Sequence, residues 1–465
     1  MMLFSPTLTG CVLLALAASY IWVCLTSPLR KVPGPWSSLF TSWILKWHEF
    51  RAGRTRYVHR LHLRYGPVVR VAPNEVVFAS AEGVKEVYGS GGSGYDKTEF
   101  YDLFQVYGRR TMFSTRNKQD HAKRKRVLAD RYANTNVMRS ASLEGIRERS
   151  KRFVDRCSKS LGGSIDLFHL VSGLHDYAFD CVSHHLFHPY GSDSLRDEED
   201  EKIMRQVAFD DSLQNRLFSY YNPALHGLVK NVLALFSKPR ETPLADNLVL
   251  SATSKSDPPR FHSASPDAGQ DLRFGATRHG CGMHRPYGCW YRYDWRKKSA
   301  RLTPTRPSTS CRTWTPWSWK DCAASPPFPC HCRGTSQQAA APSTATISPG
   351  GTIVSCQAYS THRIDQRVFP EPERFHPERW LEEAGDLDRK RLFFAFASGG
   401  RGCIGKHLAL AEMKTLLIDV YSRYSTRPDE AVMTDGDMEM SDQLISSQPR
   451  GQKCWMILAP LEESL

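Results

Sequence analysis

The chain has 465 residues, a formal net charge of +14, 41% hydrophobic residues and thirteen cysteines. That length is ample for an enzyme-sized core, and the scattered, odd-numbered cysteines exclude a small disulfide scaffold, reading as reduced thiols in a cytosol-facing body. The charge is not spread evenly: Pro258 to Ile347 holds 13 Lys+Arg against 4 Asp, or +9, which leaves +5 for the rest, so no nucleic-acid partner is expected.

In chain order, the first element is an uncharged, mostly apolar run of 18 residues, Leu8 to Leu25. It is about as long as a membrane-spanning helix must be. No charged side chain precedes it, and Arg30 and Lys31 follow it, which favours an uncleaved anchor with the body on the cytosolic side over a cleaved signal peptide. Val32-Pro33-Gly34-Pro35 then forms a stiff, non-helical link that sets the angle between anchor and body. Tyr65 to Ser80 alternates and is rich in valine, predicting two strands around an Ala-Pro-Asn turn. From about Ala122 to Arg240 apolar residues recur at three- and four-residue spacing, as in LEGIRERSKRFVDRC and EDEKIMRQVAFDDSLQNRLF. Helices are predicted there, broken at Pro223 and at Ser237-Lys238-Pro239.

The text changes after Asp257. Pro258 to Ile347 contains two Leu, one Ile and no Val, yet five of the eleven Trp and six of the thirteen Cys, and no Glu occurs between Glu241 and Glu371. So few branched aliphatics cannot build a packed core. From Pro349 the chain again reads as globular.

Near the C-terminus stands FFAFASGGRGCIGKHLALAEMK, with Cys403 among four glycines. A lone thiolate holds one metal or haem iron from a single side. Gly399, Gly400, Gly402 and Gly405 let the backbone approach a flat ligand closely. Cys403 is expected to open a helix with apolar positions Leu408, Leu416, Leu417 and Val420, whose exposed N–H groups favour the thiolate. Arg401 is placed to pair with a ligand carboxylate.

The run Phe396-Ala-Ser-Gly399-Gly-Arg401-Gly-Cys403-Ile-Gly405 resembles the haem-binding loop of the cytochrome P450 family, with every signature position filled. FPEPERFHPERW (Phe369 to Trp380) resembles the family's PERF region, with Arg374 as the motif arginine; in the family that arginine joins a Glu and an Arg of an upstream E-x-x-R helix in a structural triad. DHAKRKR resembles the helix that faces the haem, with His121 and Lys125 at the two propionate-binding positions, although a surface basic cluster over Lys123 to Arg126 is the plainer reading. The anchor and VPGP link resemble the microsomal members, and YDKTEFYDLFQVYGRR resembles fungal natural-product members.

The resemblance implies a mainly α fold with a small β-sheet subdomain behind one N-terminal transmembrane helix. It divides the chain into an anchor (1–27), a Pro/Gly hinge (28–36), the N-terminal part of the P450 domain (37–257), an aberrant low-aliphatic segment (258–348) and the C-terminal haem-binding part (349–465). It implies haem b with iron ligated by Cys403, and Arg401, Phe396, Gly399, Gly405, His121 and Lys125 about the cofactor. It further implies insertion of one oxygen atom of O2 into a small lipophilic substrate, in secondary metabolite biosynthesis. Electrons would come from NADPH through the NADPH–cytochrome P450 reductase, docking on the basic face near the cysteine loop, at the endoplasmic reticulum membrane.

Two family features have no counterpart between Asp257 and Pro349: an A-G-x-[DE]-T-T stretch, whose acid and Thr relay protons, and the E-x-x-R helix. The proton-relay residues are therefore unassigned. Read one base later, the codons of Gly288 to Trp295 permit Ala-Ala-Gly-Ile-Asp-Thr-Thr-Gly. Read two bases later, those of Arg312 to Ala323 permit an E-x-x-R helix, and those of Gln337 to Ile347 permit Ala-Gly-Gly-Ser-Thr-Ile-Asp-Gly-Tyr. The segment therefore reads as translated out of frame. The rival, a zinc-binding insert using Cys281, His284 and Cys289 or Cys330, His331 and Cys332, lacks a tetrahedral ligand spacing. Three alternatives to the monooxygenase stay open: a haem-binding pseudoenzyme lacking both helices, a haem-thiolate desaturase and a haem-thiolate isomerase.

Overall fold

The computed structural model describes residues 6–89, 95–105, 110–167, 173–202, 213–236, 334–335, 351–442 and 447–461. The zinc-insert cysteines and the proposed out-of-frame motifs lie outside the described residues, as does much of EDEKIMRQVAFDDSLQNRLF.

Helix α1 (Pro6–Thr26) contains the apolar stretch Thr7–Thr26, the one helix among the described residues long and apolar enough to cross a membrane. A short 3₁₀ turn, Pro28–Lys31, leads into α2 (Ser37–Phe40) and α3 (Trp43–Phe50). In α4 (Arg54–Tyr65), Thr55, Val58, Leu61 and His62 are buried at three- and four-residue spacing, and Gly66, at φ +96°, ends the helix in a conformation that favours glycine.

The predicted strand pair forms as β1 (Val68–Ala72) and β2 (Glu75–Phe78), antiparallel, with Val68 opposite Phe78 and Val69 opposite Val77. Helix α5 (Ala81–Tyr88) is capped by Ser80, whose hydroxyl accepts the N–H of Gly83 at 3.1 Å. The helical stretch then runs through α6 (Lys118–Ala129), α7 (Asn134–Val137), α8 (Ser140–Ser158), α9 (Leu174–Phe187), α10 (Leu213–Tyr221) and α11 (Pro223–Phe236). Pro223 is the first residue of α11, where its missing N–H costs no helical bond. Periodicity over this region did not reveal β3 (Ser164–Asp166), which is only three residues long.

Strand β4 (Gly334–Thr335) pairs antiparallel with β5 (Ile353–Cys356), and β5 pairs parallel with β2, Glu75 facing Ile353 and Phe78 facing Cys356. The sheet order is β1-β2-β5-β4. After α12 (Ala358–Thr361) and α13 (Asp386–Leu392) comes α14 (Lys406–Tyr421), then β6 (Tyr424–Pro428), β7 (Met440–Asp442), β8 (Ser447–Pro449) and β9 (Trp455–Pro460). Strand β9 lies between β3 and β6, both antiparallel to it.

Segments before and after the aberrant stretch thus share two sheets and both main cores. One core joins Ile146, Phe153, Tyr177 and Val182 to Leu408, Leu416, Leu417 and Val420, the four apolar positions expected on the last helix. The other joins Val76, Tyr88, Phe100 and Phe104 to Val354, Cys356 and Phe394. A buried ion pair, Arg54 Nη2 to Glu75 Oε1 at 2.6 Å, ties α4 to β2. The architecture is helix-rich with small sheets. No disulfide occurs among the described cysteines, in keeping with reduced thiols.

Candidate active site

The cysteine loop leaves the buried Phe394 and folds back on itself. Ala397 N donates to Phe394 O at 3.1 Å, Gly402 N to Gly399 O at 3.0 Å, and Cys403 N to Phe396 O at 2.8 Å. The turn needs left-handed backbone at Ala397 (φ +54°) and Gly399 (φ +57°). Glycine serves the second site without strain; alanine at the first stores roughly 1–2 kcal/mol. Cys403 is half-buried, and a side chain added at Gly400 would meet nothing within 4 Å, so the loop presents an open face beside the thiol.

One expectation is corrected here. Cys403 does not open the helix: α14 begins at Lys406, after Gly405. The bond from Cys403 N to Phe396 O commits that N–H to closing the loop, and the backbone turns helical only three residues after Cys403.

Helix α6 packs beside this loop. Asn117 caps it, accepting the N–H groups of Gln119 and Asp120 at 2.9 and 3.1 Å. Four residues apart on α6, His121 is buried and Lys125 reaches across, its Nζ donating to Gly402 O at 2.7 Å and Gly400 O at 3.1 Å. The plainer reading holds for their neighbours: Lys123 and Arg126 face solvent. Arg401 Nη2 donates to Arg116 O at 2.9 Å and lies 3.9 Å from Asp96 Oδ1, an oxygen that also accepts Lys118 N at 2.8 Å.

A third cation, beside Lys125 and Arg401, was not read from the sequence. Lys97 is buried, and its backbone N–H meets the same Arg116 carbonyl as Arg401, at 3.1 Å. Its Nζ donates to Phe113 O at 2.6 Å and sits 4.5 and 4.7 Å from the ring centres of Tyr101 and Phe113. The signal was present in YDKTEF, but nothing local marks this lysine, because its neighbours lie 4 to 304 residues along the chain.

These cations act together on His121. Burial lowers its pKa, and Lys97, Arg401 and Lys125 drive it further, to about 2. The imidazole is therefore neutral at physiological pH and sits in a strongly positive field. Lys125 is pulled down by burial and by Arg401 and held up by the charge of Cys403. The arrangement suits a flat, dianionic group: an accessible sulfur, a glycine face, and several donors gathered beside them. Among the described residues no group of three or more His, Cys, Asp and Glu side chains could hold a metal ion, so a bare-ion site is not formed here.

Arg374 is elsewhere. It is exposed and pairs with Glu371 three residues earlier, at 2.9 Å. The triad expected of it is not formed among the described residues, since a partner helix would fall in the stretch between Asp257 and Pro349.

Comparison with known proteins agrees with this site. A model of the family "Cytochrome P450" matches residues 345–455, which contain the whole cysteine loop and α14. The chain is 26% identical over 488 residues to cytochrome P450 monooxygenase tazI of Aspergillus terreus, covering 95% of this chain and 96% of that one. It is 25% identical over 497 residues to cytochrome P450 monooxygenase orf2 of Aspergillus niger, covering 97% of each. Over a shorter stretch of 103 residues it is 37% identical to cytochrome P450 monooxygenase stcB of Emericella nidulans, covering 22% of this chain and 20% of that one. The glycine-rich cysteine loop, the helix-rich body with small sheets and these long alignments agree: residues 345–455 match the cytochrome P450 family, and the chain is similar along nearly its whole length to cytochrome P450 monooxygenases, oxidoreductases that hold a haem through a cysteine thiolate.

Proposed function

We propose that Cys403 would hold the haem iron through its thiolate in a membrane-anchored monooxygenase, where Arg401, His121, Lys125 and Lys97 would bind the haem propionates. The observation that carries this is the positive field around His121, built from Lys97, from Lys125 on α6 and from Arg401 of the cysteine loop itself. Phe396, Gly399 and Gly405 shape the loop: Phe396 O holds Cys403 N, Gly399 takes the left-handed turn, and Gly405 passes the chain into α14. A haem held there would supply oxygen-activating chemistry, and the Cys403 thiolate would tune it by electron donation. The protein's own residues hold the thiolate in place and neutralise the propionates.

Haem titration of the full chain tests the cation assignment. Lys125→Met or Lys97→Met should weaken haem binding about tenfold or more, the scale of one lost charge-assisted hydrogen bond. Lys125→Arg should restore most of it. Unchanged affinity in both methionine variants would remove these residues from the propionate site.

Helix α1 serves in this reading as a single-pass anchor in the endoplasmic reticulum membrane, with the body on the cytosolic side next to Arg30 and Lys31. The redox partner is an NADPH–cytochrome P450 reductase, and the exposed Lys123 and Arg126 of α6 give it a basic surface beside the loop. The substrate is small and lipophilic, and the fungal monooxygenase relatives favour a place in secondary metabolite biosynthesis.

A second reading concerns the chain as written. Residues 258–348 supply neither the proton-relay stretch nor the E-x-x-R helix, and among the described residues Arg374 lies exposed without that triad. If those residues are the true translation, the product is a haem-binding pseudoenzyme. Sequencing the transcript between Asp257 and Pro349 decides this: a restored A-G-x-D-T-T and E-x-x-R in frame selects the monooxygenase, and an unchanged reading frame selects the damaged product. Labelled oxygen appearing in the product separates oxygen insertion from a desaturase or isomerase.

A further inference from the structure

Helix α13 ends at Leu392, and Phe393 after it is extended, at ψ 98°. The next N–H, that of Phe394, is thereby turned away from the helical ladder. Phe394 is buried, and a buried N–H needs an acceptor. No carbonyl supplies it. The acceptor is Nε2 of His362, 2.9 Å away and 32 residues earlier in the chain. A backbone N–H can only donate, so Nε2 carries the lone pair and the proton of the neutral ring sits on Nδ1.

His362 is itself fixed. It closes α12, its N–H donating to Ala358 O at 3.0 Å, and it is buried. Its ring lies nearly parallel to that of Phe393, with 7° between planes and 5.8 Å between centres, and 5.7 Å from that of Phe369. Trp380 meets Phe393 edge-on at 5.6 Å and Phe369 at 6.1 Å. Phe369 and Trp380 are the two ends of FPEPERFHPERW. The run whose arginine forms no triad among the described residues thus builds the aromatic cluster around this imidazole.

The bond to His362 stands at the root of the cysteine loop. Phe394 O accepts Ala397 N at 3.1 Å, and Phe396 O accepts Cys403 N at 2.8 Å. At Ala397 the loop holds a left-handed conformation that an L side chain resists. Such a conformation persists only where its surroundings over-determine it. The ring of Phe394 is also held by Tyr88, 4.7 Å away, whose hydroxyl accepts Cys356 N from β5 at 3.3 Å. Ring packing seats Phe394 but does not set the rotation of its peptide plane. A directed N–H···N bond does.

Resting on the reading of Cys403 as the thiolate that would hold a haem, we propose that His362 is a positioning residue for that thiolate. Its Nε2 orients the Phe394 peptide, Phe394 O orients Ala397, and the turn so started brings Phe396 O to the N–H of Cys403. The place of the sulfur is thereby set from the end of α12, outside the glycine-rich run. Loss of the acceptor leaves a buried N–H unpaired, and the strained turn beside it is the first part of the chain to relax.

Two variants separate the acceptor from the ring. His362→Phe keeps an aromatic ring against Phe393 but offers no acceptor, and His362→Gln drops the ring but keeps an acceptor in its Oε1. Amide hydrogen exchange of the full chain in detergent, resolved over Phe394 to Cys403, should run about tenfold faster in H362F and near the native rate in H362Q. Native-like exchange in H362F, or exchange in H362Q as fast as in H362F, overturns the acceptor role. In the haem-loaded chain, H362F should lose part of the thiolate-bound band of the reduced carbon monoxide complex, and H362Q should regain it. A full band in H362F overturns the link to Cys403. Should H362F not fold, slow exchange in H362Q upholds the proposal and fast exchange overturns it. Should neither fold, the native chain decides: a Phe394 amide that exchanges like an unprotected one overturns the bond, and protection there upholds it. If the native chain shows no thiolate-bound band, the reading of Cys403 has failed instead, and the exchange result stands on its own.

Discussion

Replacing Cys403 with alanine should abolish the absorption band that carbon monoxide gives with reduced, thiolate-bound haem. The loop itself should survive the change. Its turn is closed by main-chain bonds, Cys403 N to Phe396 O and Gly402 N to Gly399 O, which alanine retains. The sulfur is only half-buried, so little packing is lost, and unfolding should move by no more than about 1 kcal/mol, or roughly 2 °C for a chain of this size. Haem affinity should fall steeply while the thermal transition stays nearly in place. The counter-result is equally clear. A variant that keeps the band would shift the ligand to another thiol, and Cys356 and Cys454, both fully buried, would be the first to examine.

The second large effect is one of stability against pH. Glu412, on α14, is completely buried, and neither carboxyl oxygen has a hydrogen-bond partner among the described residues. Burial holds its pKa well above the ordinary carboxylate range. The folded chain therefore keeps a proton that the unfolded chain releases above about pH 4.3. Stability falls as pH rises through that interval, by about 1.4 kcal/mol per pH unit, until the folded-state pKa is passed.

Other groups share the acid end of this range. Asp180 and Asp442 are raised to about 6, with the same sign, while His59, His62, His175 and His184 are lowered to about 4, with the opposite sign. Around Glu412 itself stand Tyr177 and Cys181 of α9, whose pKa values burial raises further, so both stay neutral up to alkaline pH. Above pH 7 Glu412 shares the slope with the buried thiols Cys157, Cys181 and Cys454, which also keep in the folded chain a proton that the unfolded chain releases. Glu412→Met should reduce it and stabilise the chain by about 1–4 kcal/mol at pH 8, the range found when buried ionisable groups give way to apolar ones. Chemical denaturation in detergent at pH 7 and 8.5 measures both quantities. A methionine variant less stable than the native chain at both values would show that the carboxyl has a partner after all.

The sequence was most readable where structure is local. The β1–β2 pair shows as alternation around a turn, α8 as three- and four-residue spacing, and the cysteine loop as a dense run of fixed positions. What escaped is set by distance along the chain. Lys97 looks like any surface lysine until Phe113, Arg116, His121 and Arg401 are brought around it. Arg70 looks like a charged residue on an edge strand, yet four carbonyls and hydroxyls of the linker close over it. Glu412 sits in a helix whose outward face is rich in polar groups, and only packing against α8 and α9 shows that it points inward. The start of α14 was misplaced for a related reason, since the competing bond from Cys403 goes back seven residues to Phe396.

The parallel pairing of β2 with β5 bears on how the chain is made. Glu75 and its partner Ile353 are 278 residues apart, and β3 waits still longer for β9. At roughly 5–20 residues per second on a ribosome, β2 stands with a bare, valine-rich edge for about 15–60 seconds before its neighbour exists. Such an edge is a template for pairing with other nascent chains. The N-terminal half therefore completes neither shared sheet until Ile353 and Trp455 have been made. A premature stop anywhere before Ile353 would leave an aggregate, not a truncated enzyme.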